Sequence, residues 1–216
     1  MKILIVCATE MECAWLREQL KYQANKEVNF LITGVGTVNT AYHLGKHLTH
    51  NQYDNIINIG IAGSFDREFE LGEVVEVREE TFGELGAEDR DKFLDLRELG
   101  FINFKHNSID YYNTIENPYA KISKLRGVKG LTVNAISGNL ETIKVRQGRW
   151  QKDIETMEGV AFFQASLLSG MPFCSFRAIS NYVELRNRLN WKVELGVRNV
   201  QEFVLELINN QFIINV

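Results

Sequence analysis

Met1-Lys2-Ile3-Leu4-Ile5-Val6-Cys7-Ala8 opens the chain, and from Ile3 onward the run is apolar on both alternating positions, the mark of a strand covered on both faces. It falls far short of the roughly 20 residues of a membrane helix, and Glu10 and Glu12 follow at once in place of a cleavage site. Neither export nor membrane insertion is therefore expected. Similar runs recur at Val28–Thr33, Asn55–Ala62, Val74–Val77, Leu131–Ile136 and Phe173–Ile179. Between several of them, Met11–Leu20, Val38–Leu48, Gly159–Leu168 and Val193–Ile208 space their apolar residues three or four apart, as helices do. The alternation predicts an α/β fold.

The chain has 216 residues, and at about 150 residues per domain this favours one domain spanning 1–216. Hydrophobic residues make up 45 % and charged residues 24 %, with only two prolines, Pro118 and Pro172, which excludes a disordered or linker-rich chain. The net charge of −4 comes without a long block of one sign, so polymeric nucleic acid is not an expected partner. Cys7, Cys13 and Cys174 are odd in number and lack CxxC spacing, a usage suited to a reducing cytoplasm. His43, His47, His50 and His106 have no acidic or cysteine companions at ligand spacing, so neither metal nor cofactor is expected. The stretch from Glu79 to Gly130 is the least periodic and predicts loops and short elements. Lys144, Arg146, Arg149 and Lys152 read as a solvated helix face.

Thr33-Gly34-Val35-Gly36-Thr37-Val38-Asn39 follows a strand and opens a helix. Asparagine stands where a dinucleotide-binding loop has its third glycine, which favours a tight turn that lets the backbone approach a neighbour. Glu10 and Glu12 stand just past the first strand, at the end that faces the ligand crevice in open α/β sheets. Helix-start charge explains such residues equally well. Glu158 opens an almost wholly apolar helix, and Arg177-Ala178-Ile179-Ser180-Asn181 ends another strand on an amide.

Taken together, Ala8-Thr9-Glu10-Met11-Glu12, Asn58-Ile59-Gly60-Ile61-Ala62-Gly63, Ser137-Gly138-Asn139, Met157-Glu158 and Arg177-Ala178-Ile179-Ser180-Asn181 make a chain that resembles, along nearly its full length, the purine nucleoside phosphorylase and methylthioadenosine/S-adenosylhomocysteine nucleosidase superfamily. Three further segments, Phe82 to Asp89, Glu155 to Gly159 and Ser180 to Arg188, look most like those of its futalosine hydrolase family. The resemblance implies a single-domain three-layer sandwich with a mixed central β-sheet flanked by helices. By the same resemblance Glu12 activates water, Glu158 holds the ribose hydroxyls, Met157 packs under the sugar, Asn181 contacts the purine, and Gly63 and Trp191 join the substrate wall. Cleaving an N-riboside passes through an oxocarbenium-like state and needs a base for water and a grip on the sugar. Glu12 and Glu158 suit those needs.

Departures from the relatives sharpen this. Where bacterial hexameric phosphorylases carry a phosphate-binding arginine and serine, this chain has Asn58 and Ile61, so water is the expected nucleophile. Asn181 stands where adenine-cleaving enzymes carry aspartate; an amide can donate to a 6-oxo purine, which a carboxylate repels. Hypoxanthine or guanine is therefore favoured over adenine. Thr156 replaces a second glutamate of some nucleosidases. A 5′ benzoate, as futalosine carries, calls for a cation, for which Arg186 and Arg188, or a basic side chain from a neighbouring subunit, are candidates. The resemblance further implies a homo-oligomer, at least a dimer. An inosine or guanosine phosphorylase and a purine-nucleoside-binding module without turnover stay open as rivals.

Overall fold

In the computed structural model, residues 1–21, 27–101, 105–106, 109–110, 113–119 and 124–210 are described. The strands in chain order are β1 (Lys2–Cys7), β2 (Glu27–Ile32), β3 (Asn55–Ser64), β4 (Val74–Phe82), β5 (Gly86–Asp89), β6 (Lys92–Asp95), β7 (Lys105–His106), β8 (Ile109–Asp110), β9 (Thr114–Glu116), β10 (Gly127–Thr132), β11 (Ile154–Thr156) and β12 (Phe173–Tyr182). The helices are α1 (Ala14–Leu20), α2 (Thr37–Leu48), α3 (Leu140–Trp150), α4 (Gly159–Ser169) and α5 (Val193–Asn209).

One mixed sheet runs β11-β10-β4-β12-β3-β1-β2, with β9 added to β4. β1 lies parallel to β2 and β3, β12 is parallel to β3 and antiparallel to β4, and β10 is parallel to both β4 and β11. The sheet then curls until β11 pairs antiparallel with the end of β3, Ile154 opposite Ser64 and Glu155 opposite Gly63. Hairpins β5-β6 and β7-β8 stand apart from it.

The opening run behaves as a strand buried on both faces should. Leu4 and Val6 join the core under α2 and α4, while Ile3, Ile5 and Cys7 join the core under α1 and α5. Helices thus cover both sides of the sheet, giving the expected three layers. Phe173 anchors the first core, its ring meeting Tyr119, Phe162 and Phe163 edge to face at centroid distances of 5.7, 5.6 and 5.2 Å.

Two boundaries and the burial of one basic cluster differ from expectation for physical reasons. The first helix is broken at Cys13 into a 3-10 turn, Glu10–Glu12, and α1, because the side chain of Glu12 turns back onto the backbone ahead of it. The strand expected at Leu131–Ile136 runs instead over Gly127–Thr132, paired to β4. Beyond it, Glu84 accepts from Asn134 N and Glu155 from Ser137 N, so carboxylates replace ladder partners and the chain leaves the sheet. The basic residues around α3 are no solvated face. Arg146 and Lys152 are nearly buried; Arg146 pairs with Glu84 and Glu155, Arg149 with Asp95 and Glu98, and Lys152 with Glu79. Only Lys144 of the cluster is exposed, since acidic residues of β4, β6 and β11 draw the others inward. The expected short elements between Glu79 and Gly130 appear as β5 to β9; residues 102–104, 107–108, 111–112 and 120–123 of that stretch lie outside the described residues.

Phe173→Ala should lower unfolding free energy by about 3–5 kcal/mol in urea titrations, the usual loss for emptying a buried aromatic site.

Candidate active site

Glu12 is almost completely buried. Its Oε2 accepts from Ala8 N at 3.1 Å, Thr9 N at 2.9 Å and Thr9 Oγ1 at 3.1 Å. Its Oε1 faces β3, 3.0 Å from where a Cβ on Gly60 would stand, so glycine there makes room for the carboxylate. Burial pushes the Glu12 carboxyl above the usual carboxylate range and nearby Glu158 adds to this; the Thr9 bonds and the Arg177 guanidinium pull the other way. Glu10, the other acid of the pair, is exposed and tied to Arg17 at 2.8 Å, a surface helix-start charge.

Glu158 stands at the N-cap position of α4, its side chain turned away from the helix's own amides. Its Oε1 accepts from Gly36 N at 2.8 Å, across the glycine turn in which Gly34 and Gly36 take φ of +86° and +94°. The neighbour that this turn approaches is thus the Glu158 carboxylate, and Asn39 closes the turn by donating to Val35 O at 2.7 Å.

Asn181 owes its aim to a bulge. Along β12, Ile179 pairs with Ala62 and Asn181 with Gly63, so Ser180 is the extra residue. Ser180 Oγ donates to Asn181 Oδ1 at 2.8 Å and Asn181 Nδ2 donates to Tyr182 O at 3.1 Å. One N–H and one oxygen lone pair of the amide remain for a ligand. A Cβ at Gly63 would stand 3.1 Å from Asn181 Nδ2, so glycine keeps that amide in place.

These groups meet. A cavity of about 200 Å³ is walled by Glu12, Gly63, Met157, Glu158, Asn181 and Trp191, with Thr9, Val35, Ile136, Ser137, Glu155 and Thr156 among the other lining residues. Arg186 does not line it but lies with its guanidinium 4.9 Å from the Trp191 ring centre. Arg188, on an exposed 3-10 turn, is not brought to the cavity, because Asn187 caps that turn and directs it along the surface. A larger groove of about 480 Å³ between α2 and α4 is lined by Ala41, Leu48, Ala165 and Leu168 among others, without an ionisable side chain, and so offers no acid or base.

Sequence reasoning missed two groups. Arg177 is buried in β12 and donates to Asn58 Oδ1, to Ser175 Oγ at 3.2 Å and to Phe176 O at 3.0 Å. With Glu12, Glu158 and Asn58 it lines a narrow recess behind the cavity. A guanidinium therefore does reach the wall where Asn58 stands, from another strand. Its signal was a lone charge inside an apolar run, which must be paired to be buried. The second group is Glu155, whose carboxylate accepts from Ser137 N at 2.7 Å, Ser137 Oγ at 2.6 Å and Arg146 Nη1 at 3.0 Å. It fixes the loop that lines the cavity opposite Glu12.

No protein-family model matches the chain. It is 28 % identical to a futalosine hydrolase from Thermus thermophilus, across 95 % of this chain and 94 % of that one. With a futalosine hydrolase from Streptomyces coelicolor it shares 30 % identity over 65 % of this chain and 59 % of that one. A 5′-methylthioadenosine/S-adenosylhomocysteine nucleosidase from Bacillus pumilus is 26 % identical over 96 % and 98 %. In fold, the chain matches the crystal structure of a nucleosidase of that kind from Colwellia psychrerythraea in complex with adenine, with a TM-score of 0.81, 21 % identity and coverage of 100 % and 97 %.

The chain has the fold of these nucleosidases, and its relatives support an N-glycosyl hydrolase. In sequence it is similar to futalosine hydrolases.

Arg146→Ala leaves the Glu155 carboxylate buried beside only the Ser137 donors, so unfolding free energy should fall by about 3 kcal/mol in denaturant titration, with Lys144→Ala as an unaffected control.

Proposed function

We propose that the chain hydrolyses the N-glycosidic bond of futalosine, releasing hypoxanthine and dehypoxanthine futalosine, as a cytoplasmic step of menaquinone biosynthesis by the futalosine route. The observation that carries this is the convergence of Glu12, Glu158 and Asn181 on one cavity. Water placed at the Glu12 end loses a proton to the carboxylate as the C1′–N9 bond breaks. Glu12 is suited to this because one oxygen is fixed by three donors and burial strengthens its hold on a proton. Glu158 accepts from the ribose hydroxyls, bonds that strengthen as positive charge develops on the sugar. Met157 packs beneath the ring, and Asn181 donates to the purine O6 or N7.

Phosphate as nucleophile is disfavoured by electrostatics. The recess where it would sit is flanked by the carboxylates of Glu12 and Glu158, and the Arg177 fork is occupied by Asn58, Ser175 and the Phe176 carbonyl. The 5′ benzoate leaves past Trp191, where Arg186 is the nearer of the two arginine candidates; Arg188 would have to come from a rearranged turn or from a neighbouring subunit. Val35 lines the cavity and continues outward as exposed Val38 and Tyr42 on α2, an apolar strip that a second copy would cover, completing the pocket in a homo-oligomer.

Incubating the protein with futalosine, inosine, methylthioadenosine and S-adenosylhomocysteine, with and without phosphate, tests the reading by chromatography of free base. Phosphate-independent hypoxanthine release from futalosine is expected; adenine release or a strict phosphate requirement overturns it. Glu12→Gln should lower kcat by about 10²–10⁴-fold, the scale of a lost general base. Because the Glu12 carboxyl is pushed up and must be ionised to act, kcat/KM should fall with acid from a pH above 4.5. Asn181→Asp should shift preference from hypoxanthine toward adenine as leaving base, read as a ratio of kcat/KM values.

A further inference from the structure

Beneath the turn that carries Met157 and Glu158 lies a carboxyl group that the chemistry above leaves unused. Glu80 of β4 has no solvent exposure. Thr132 Oγ1 of β10 donates to its Oε2 at 2.8 Å, and Thr156 Oγ1 of β11 lies 3.3 and 3.4 Å from its two oxygens. The threonine hydroxyls stand 3.2 Å apart, and Thr132 Oγ1 also accepts from Val160 N, in the first turn of α4, at 2.8 Å. The carboxyl occupies the space that side chains would need at two glycines: a Cβ on Gly159 would come within 1.9 Å of it and one on Gly130 within 2.5 Å. Glu80 is wedged between three backbone segments at the residue next to Glu158.

The charged groups that reach it are Arg177 from β12 and Glu158 ahead of α4. Among the described residues, β10 and β11 present hydroxyls, β9 pairs Ile115 with it, and α4 presents Gly159. Burial pushes the Glu80 carboxyl up to about 7, and Glu158 adds to this against Arg177 and the threonine donors. Thr132 donates to Glu80 and accepts from Val160, and Thr156 donates to Glu80 as well, so the carboxyl ties β10, β11 and the first turn of α4 together. Ionised Glu80 would set a second negative charge against Glu158.

We propose that Glu80 is a positioning residue, a buried carboxyl that locks Thr132, Thr156 and the first turn of α4 into the arrangement that aims Glu158 at the ribose. Its kinetic consequence rests on the nucleosidase reading of the site; its protonation state does not.

The test compares the native chain, Glu80→Gln and Glu80→Ala. With whichever nucleoside is turned over, native kcat/KM should fall above a pH near 7, through KM rather than kcat. Glu80→Gln, which keeps both an acceptor and a donor, should hold activity within about threefold at pH 6 and lack that alkaline limb. Glu80→Ala should raise KM about tenfold to a hundredfold at every pH, the scale of a loosened positioning contact. Melting temperatures from pH 4.5 to 8 supply a readout without substrate. An unfolded carboxyl ionises near 4.5 and the folded one near 7, so the native chain should lose stability across that interval relative to Glu80→Gln. Parallel melting curves for the two, an unchanged alkaline limb in Glu80→Gln, or a native KM in Glu80→Ala would each overturn the proposal. If no nucleoside is cleaved, the enzymatic reading fails and the melting comparison still decides whether Glu80 is a neutral acid.

Discussion

Two residue pairs, Ile154 with Ser64 and Glu155 with Gly63, form the seam that joins β11 to the end of β3. The site hangs on that seam. β11 is only three residues long, yet it carries Glu155 and Thr156 and feeds straight into Met157 and Glu158. Pairing it to β3 sets those residues against Gly63, and through β12 against Asn181. An open sheet of the same strands would leave Glu158 at one edge and Asn181 near the middle. The curl makes a concave end out of a flat one.

Such a concave end collects charge away from water, which is costly unless every charge is met. The structure meets each one differently. Glu12 is held by backbone and hydroxyl donors of its own turn, Glu158 by a backbone amide 122 residues earlier, Glu155 by a guanidinium, and Arg177 by an amide, a hydroxyl and a carbonyl. These differences sort the acids by role. Glu155 is tied off on both oxygens and serves structure, whereas Glu12 has one oxygen fixed and the other turned toward the cavity wall.

Much of this was legible in the sequence, wherever the signal was local. β1, β3 and β12 announce themselves as runs apolar on both faces, and α2, α4 and α5 as periodic segments. Glu12 and Asn181 could be singled out because each stands just past such a run, and Glu158 because it opens an apolar helix, and the structure brings them to one cavity. What stayed hidden depends on partners far along the chain. Nothing near Arg146 says that Glu84 and Glu155 will draw it inward, and nothing near Ile154 says that a three-residue strand will close a sheet. The end of β10 is hard to place from sequence because Val133, Ala135 and Ile136 are apolar while side-chain carboxylates take over the backbone partners of this stretch. Arg188, a candidate only because a benzoate calls for a cation, stands on an exposed turn whose direction no local signal gives.

The bulge at Ser180 makes the choice of cavity-facing residue a question of parity. Side chains along a strand alternate between faces, so the residue that faces the cavity is chosen by counting along β12 from Phe173, with one extra residue inserted before the count ends. Straighten the strand without removing a residue and Asn181 would fall opposite Ser64, on the face that Ile179 packs, while Tyr182 would take its place. The amide is therefore specified twice, once by being asparagine and once by an arithmetic slip in the backbone, and a strand with every letter of the motif but no bulge would turn it away from the cavity.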